Sequence, residues 1–181
     1  MRVLAYDKYP NDGITDGDNV KYVPAGLAAN ANIEEIVFPD NIVAIGENAF
    51  RYCCVEKPFI IPESVKTVYK SAFYRIDIPA ITLPEGLESA GQKAFFDMTA
   101  DVLYYNCTNC AFEIYPDRTG IDGVHSSPFS SDDLKSIVIG ENVQTLPDFT
   151  FCNMTKLRTV HIPDNIKALS KGAFAFSSVV T

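Results

Sequence analysis

The sequence predicts a repeat solenoid, a right-handed coil with one short parallel β-strand per repeat and mostly short helical or irregular segments on its convex side. Three observations predict it. A 15-residue motif recurs without gaps from Ile36 (IVFPDNIVAIGENAF), Phe59 (FIIPESVKTVYKSAF), Ile81 (ITLPEGLESAGQKAF), Ile137 (IVIGENVQTLPDFTF) and Val160 (VHIPDNIKALSKGAF). The residue that closes each strand recurs at Gly17, Pro39, Pro62, Pro84, Asn106, Gly140 and Pro163, at intervals of 22, 23, 22, 22, 34 and 23. Each copy also carries several apolar residues that a unit of this length cannot bury alone, so neighbouring units must stack to share one core.

The elements follow from the frame set by the anchors. In the first repeat, Ile14-Thr15-Asp16-Gly17-Asp18-Asn19-Val20 matches Ile137 to Val143 position by position. It is degenerate, as expected of a terminal repeat that meets solvent on one side. In each later repeat the residues one and three before the anchor are large and apolar: Ile36/Phe38, Phe59/Ile61, Ile81/Leu83, Leu103/Tyr105, Ile137/Ile139 and Val160/Ile162. A period of two marks a strand with these side chains facing inward. Proline at the strand end is harmless where the ladder terminates and no backbone donor is needed. Three and six residues after the anchor, Ile42/Ile45, Val65/Val68, Leu87/Ala90, Val143/Leu146 and Ile166/Leu169 also point inward and close the coil. Eleven residues after it stand Phe50, Phe73, Phe95, Phe151 and Phe174, on a short helical turn or extended stretch across the back.

The 34-residue interval is a normal repeat with about a dozen residues inserted around 110–128, where Thr119-Gly120-Ile121-Asp122-Gly123 and Ser126-Ser127-Pro128 read as an exposed loop. Phe129 restores the phase, 22 residues before Phe151. Residues 1–181 thus form a single domain of about seven repeats, the first degenerate, the fifth extended and the last truncated. At about 4.8 Å per strand the stack is on the order of 34 Å long.

The run of apolar strand, Pro-Asp/Glu-Asn/Ser, apolar residue, then Ile-Gly-x-x-Ala-Phe, as in Ile36 to Phe50, resembles the BspA-like leucine-rich repeats. Nearly the whole chain takes part. Tyr105-Asn106-Cys107-Thr108-Asn109-Cys110 is similar to an aromatic-Asn-x-x-Asn-Cys stretch in the family's longer units. The resemblance implies a right-handed leucine-rich-repeat coil in a cell-surface or secreted protein, commonly bacterial or protozoan, whose repeats serve adhesion to proteins or cells. The shared motif consists of core residues and transfers no catalytic or binding set.

Composition narrows the partners. A net charge of −8 and a pI near 4.7 repel phosphate backbones, which argues against nucleic acid and for cationic or neutral surfaces. The same charge also keeps a small domain soluble. No membrane span is expected. Met1 to Pro10 hold no apolar stretch behind a positive charge, so no signal peptide is expected there, and the pattern at Ser178 to Thr181 reads as a segment of a longer chain.

No catalytic motif is present, and no enzyme and no cofactor is expected. His125 and His161 are the two histidines. Cys152 and His161 fall at different points of consecutive coils, which makes a structural thiol and a surface imidazole the better assignment than a nucleophilic pair. Cys107-Thr108-Asn109-Cys110 has the spacing of metal and redox sites but lacks a second ligand pair, so reduced structural thiols come before a disulfide or a metal. Cys53 and Cys152 are read as small buried apolar residues. The column after the anchors, Asp18, Asp40, Glu63, Glu85, Cys107, Glu141 and Asp164, is acidic but for Cys107 and could hold cations, yet its place is where a tight turn favours such residues. The Asp7 to Asp18 run does not match calcium-loop spacing. Asn106-Cys107-Thr108 and Asn153-Met154-Thr155 are glycosylation sequons that decide nothing without a known source.

Strand alternation puts the residue two before each anchor on the face opposite the core. That row is Thr15, Val37, Ile60, Thr82, Tyr104, Val138 and His161, beside Gly13, Glu35, Pro58, Ala80, Val102, Ser136 and Thr159 two residues earlier. The face, concave in a curved solenoid, is poor in charge for so acidic a chain. Val37, Ile60, Thr82, Tyr104, Val138 and His161 are the candidate ligand-binding residues, with the inserted loop from Tyr115 to Ser127 beside them. The expected function is recognition of a host or cell-surface protein or glycan, in an extracellular or cell-surface location. The alternative is a spacer array with no ligand. Uncovered strand ladders at the solenoid ends also predict end-to-end self-association.

Overall fold

The computed structural model describes residues 2–4, 21–113 and 127–178. The chain winds as a parallel β-solenoid of about six turns, with no helix among the described residues. In chain order the strands are β1 (Arg2–Leu4), β2 (Tyr22–Val23), β3 (Asn32–Ile33), β4 (Glu35–Val37) and β5 (Ala44–Ile45). There follow β6 (Cys54–Val55), β7 (Phe59–Ile60), β8 (Thr67–Val68), β9 (Asp77–Leu83) and β10 (Ser89–Ala90). The last are β11 (Thr99–Tyr105), β12 (Ala111–Phe112), β13 (Leu134–Ile139), β14 (Thr145–Leu146), β15 (Thr159–His161) and β16 (Ala168–Leu169).

The anchor frame sets the main sheet. β3, β6, β9, β11, β13 and β15 lie side by side, and β7 also pairs with β9. Register follows the repeat: Ile81 pairs with Leu103, Leu103 with Ile137 and Ile137 with Val160. A third inward row, absent from the expected pattern, lies at or just before the start of each coil's sheet segment, with Ile33, Val55, Ile78, Ala100, Leu134 and Leu157 all buried. It escapes an alternating template because two outward residues separate it from the next inward one, as Asp101 and Val102 do between Ala100 and Leu103.

Each coil carries a second short strand five and six residues past the anchor. β2, β5, β8, β10 and β12 form a five-stranded sheet, and β14 pairs with β16. Phe112 still pairs with Ala90, 22 residues back, whereas Phe129 stacks on Phe95, 34 residues back. The extra residues therefore enter after Phe112. Residues 114–126, with most of the expected loop, lie outside the described residues, as do Ile14 to Val20. In the frame, Ile14 would stand beside Ile36; the residue found there is Val3 of β1. An Arg-Val-Leu run suits a strand better than Ile-Thr-Asp-Gly, which is half turn residues.

The third side of the coil holds no helix among the described residues; it is a series of turns. Its N–H groups alternate in direction. Those of Asn48, Phe50 and Tyr52 donate to Lys70, Ala72 and Tyr74 of the next coil, while those of Ala49, Arg51 and Cys53 close turns onto Gly46, Asn48 and Phe50. Such a ribbon places two residues per coil in the left-handed region, as at Asn48 and Tyr52, Ser71 and Arg75, and Lys93 and Asp97. Bonding every second amide to a neighbouring coil prevents the i to i−4 ladder that a helix requires.

The core is continuous. Phe50, Phe73, Phe95, Phe129, Phe151 and Phe174 stack with ring centroids 5.4 to 5.5 Å apart. At the last described coil the inward positions open to solvent, with Ile162 and Leu169 exposed where their equivalents in earlier coils are buried.

Candidate binding face

The outward row of the sheet is assembled by backbone register. Ile60 pairs with Thr82, Thr82 with Tyr104, Tyr104 with Val138, and Val138 with His161. Five side chains on adjacent strands thus span about 19 Å. Val37 is separate from that ladder: its strand β4 pairs with β1 and only approaches β7. Alternation sends Ile81, Leu103 and Ile137 inward and leaves their neighbours outside, with Ile60 69%, Val37 40% and Tyr104 40% exposed. Thr82 and Val138 are half-buried and His161 is exposed. Thr15 lies outside the described residues.

The second row, Ala80, Val102, Ser136 and Thr159, is in register beside it and carries no charge. Charge collects at the border, where most of it is paired, Lys135 with Asp101 at 2.5 Å, Lys156 with Asp133 at 2.5 Å and Lys57 with Glu34 at 3.1 Å, while Arg158 forms no ion pair among the described residues. A neutral band of threonine, aliphatic and tyrosine side chains is thus flanked mainly by neutralised ion pairs.

The cysteines are elsewhere. Cys107 and Cys110 are both buried in the core, and the neighbouring Cys110 thiol together with burial pushes the Cys107 thiol far up. Cys53 donates to Ala28 O at 2.9 Å, and burial raises its thiol and that of Cys152. A protonated, enclosed thiol is neither nucleophile nor metal ligand. Cys152 lies inside the core and His161 on the outer face. Among the described residues no group of three His, Cys, Asp or Glu side chains is placed to hold a metal. The acidic column sits one residue into β-turns, since the carbonyls of Pro39, Pro62, Gly140 and Pro163 accept from Ile42, Val65, Val143 and Ile166.

One arrangement escaped the sequence pattern. On the turn ribbons, Arg51 and Tyr52 of one coil face Tyr74 and Arg75 of the next, so that cations and rings alternate diagonally. The Arg51 guanidinium lies 4.9 Å from the Tyr52 centroid and 5.5 Å from that of Tyr74, and Arg75 lies 5.5 Å from Tyr74. Lys93 continues the set, 5.9 Å from Tyr74 and 5.7 Å from Phe96. The Arg51 guanidinium beside Tyr52 lowers the pKa of its phenol, whereas burial raises that of Tyr74. The motif centres on the recurring Ala-Phe pair; these residues flank it and differ between repeats, so only stacking of the coils reveals them.

Comparison with known families gives a match to the family described as BspA type leucine rich repeat region, in six copies, over residues 21–103 and 122–181. The unmatched interval holds Tyr104, the Cys107–Cys110 pair and the start of the insertion. No curated protein matches the chain.

Proposed function

The chain belongs to the BspA-type leucine-rich repeat family, and we propose that it is a cell-surface or extracellular binding module that engages a protein or glycan through the outward face of its main sheet. The observation that carries this is the uncharged row from Ile60 through Thr82, Tyr104 and Val138 to His161, held in register on one face. A neutral, partly apolar band in a chain of net charge −8 is the surface that loses least on desolvation. Tyr104, near its centre, offers large area with little rotamer freedom to lose. The proposal requires no cofactor and no chemical step.

The test is a binding screen of the purified chain against extracellular-matrix proteins, mucins and a glycan array, with a Tyr104→Ala, His161→Ala variant alongside. A ligand whose affinity drops about 30-fold or more in the variant, the loss expected of a central aromatic anchor, supports the proposal and names the ligand class. Ligands that bind both forms equally would overturn the sheet face as their site, and no ligand at all would favour the spacer array.

A further inference from the structure

The turn ribbons of three successive coils enclose a cleft of about 360 Å³, on a different face from the sheet row. Its charged lining is Arg51, Lys70 and Lys93 against the single carboxylate of Glu47. Arg51 and Lys70 form no ion pair among the described residues. Arg51 Nε is moreover buried without a hydrogen-bond partner. The rings of Tyr52 and Tyr74 hold the guanidinium in place. In a protein of net charge −8, gathering these cations on one ribbon makes a local positive field that favours a bound anion.

The fold does not demand this composition. The positions held by Glu47, Asn48 and Arg51 are occupied by Ala25, Gly26 and Ala29 in the preceding coil and by Asp148, Phe149 and Cys152 in a later one, on the same turn ribbon. The Lys70 position holds Lys171 in the last coil, but among the described residues the three cations occur together only in the middle coils.

Neutral polar groups complete the cleft. Asn48, Ser71 and Gln92 line it beside the cations, and the side chains of Ser71 and Gln92 make no hydrogen bond among the described residues. A bare oxyanion would use the cations alone. Amide and hydroxyl groups next to them suit a ligand that also presents hydroxyls, and Glu47 can accept from such a hydroxyl while opposing a compact multiply charged phosphate. The volume sits at the lower end of the ligand-cleft range of about 300–1,000 Å³.

From this we infer that the cleft binds an acidic saccharide, with its sulfate or carboxylate on Arg51, Lys70 and Lys93 and its hydroxyls on Asn48, Ser71 and Gln92. The site is independent of the sheet face, so either can fail without the other.

The full chain is titrated by fluorescence anisotropy with labelled heparin hexasaccharide, which carries sulfates, and hyaluronan hexasaccharide, which carries carboxylates only. Maltohexaose serves as the neutral control and inorganic polyphosphate as a competitor, at about 50 and 150 mM salt. Saturable binding of either acidic saccharide is expected, weaker at the higher salt and absent for maltohexaose. Lys70→Gln and Arg51→Gln should each weaken it about tenfold, the loss of one charge-assisted hydrogen bond, while Tyr104→Ala, His161→Ala should leave it unchanged. The Lys70 side chain is exposed, so its variant stays informative if Arg51→Gln melts early by circular dichroism. Lack of saturable binding by both acidic saccharides would overturn the inference. So would unchanged affinity in Lys70→Gln, or displacement by polyphosphate at the same charge concentration as the saccharide itself.

Discussion

Replacing Phe95 with alanine removes a ring from the middle of the core column. Phe95 is fully buried, with Phe73 at 5.5 Å on one side and Phe129 at 5.5 Å on the other. Truncation of a buried Phe costs about 3–5 kcal/mol through lost transfer energy and the cavity left behind. Lost ring–ring contacts place Phe95 at the upper end of that range, since each such pair adds about 0.5–1.5 kcal/mol beyond area burial. Against a total stability of about 5–15 kcal/mol, the variant should be folded but severely weakened. In a linear array, coupling between the two halves passes only through adjacent coils. Urea unfolding followed by circular dichroism should therefore show a loss of about 4–5 kcal/mol and a transition that broadens or splits in two. Phe174→Ala is the internal reference: half-buried with one ring neighbour, it should cost about 2 kcal/mol or less. A loss below about 2 kcal/mol for Phe95→Ala, or one no larger than for Phe174→Ala, would refute a shared column as the source of stability.

Three further outcomes follow from local geometry. Ser131 is buried, its hydroxyl donates to Met98 O at 2.5 Å and accepts from the amides of Asp133 and Leu134 at 3.0 and 3.1 Å, so Ser131→Ala should cost about 2 kcal/mol in the same unfolding assay, and a neutral result would show that water replaces it. At Gly46 an added methyl would lie 2.5 Å from Val23 O and 2.6 Å from Ala25 N, both backbone, so Gly46→Ala should lower stability by about 1–3 kcal/mol, and a thermal melt matching wild type would refute the close approach. Alkylation followed by mass spectrometry at neutral pH should modify exposed Cys54 well before Cys53, Cys107 and Cys152, whose thiols burial raises; equal rates at Cys54 and Cys107 would contradict the packed C-x-x-C.

The repeat frame was legible because its residues serve the core. Phe50, Phe73 and Phe95 recur since each must meet its counterpart in the next coil, and the anchors recur since each strand must end in a turn. The same frame located the outward row, because alternation along a strand leaves no other face for Tyr104 or His161. It misled at the N-terminus, where Ile14 fits the column by spacing while Val3 stands beside Ile36. Spacing alone cannot rank two candidate strands for one ladder position when an insertion separates them.

By itself the sequence determined the parallel coil, its phase through the insertion and the division of side chains between core and surface, because hydrophobic burial acts at fixed intervals that repetition makes visible. The tertiary structure alone decided the second strand of each coil, the turn ribbon in place of a helix, and the meeting of Arg51 with Tyr74 and Lys70 with Lys93. Those depend on hydrogen bonds and contacts between residues about one repeat apart, at positions where each coil carries a different side chain and no period survives to announce them.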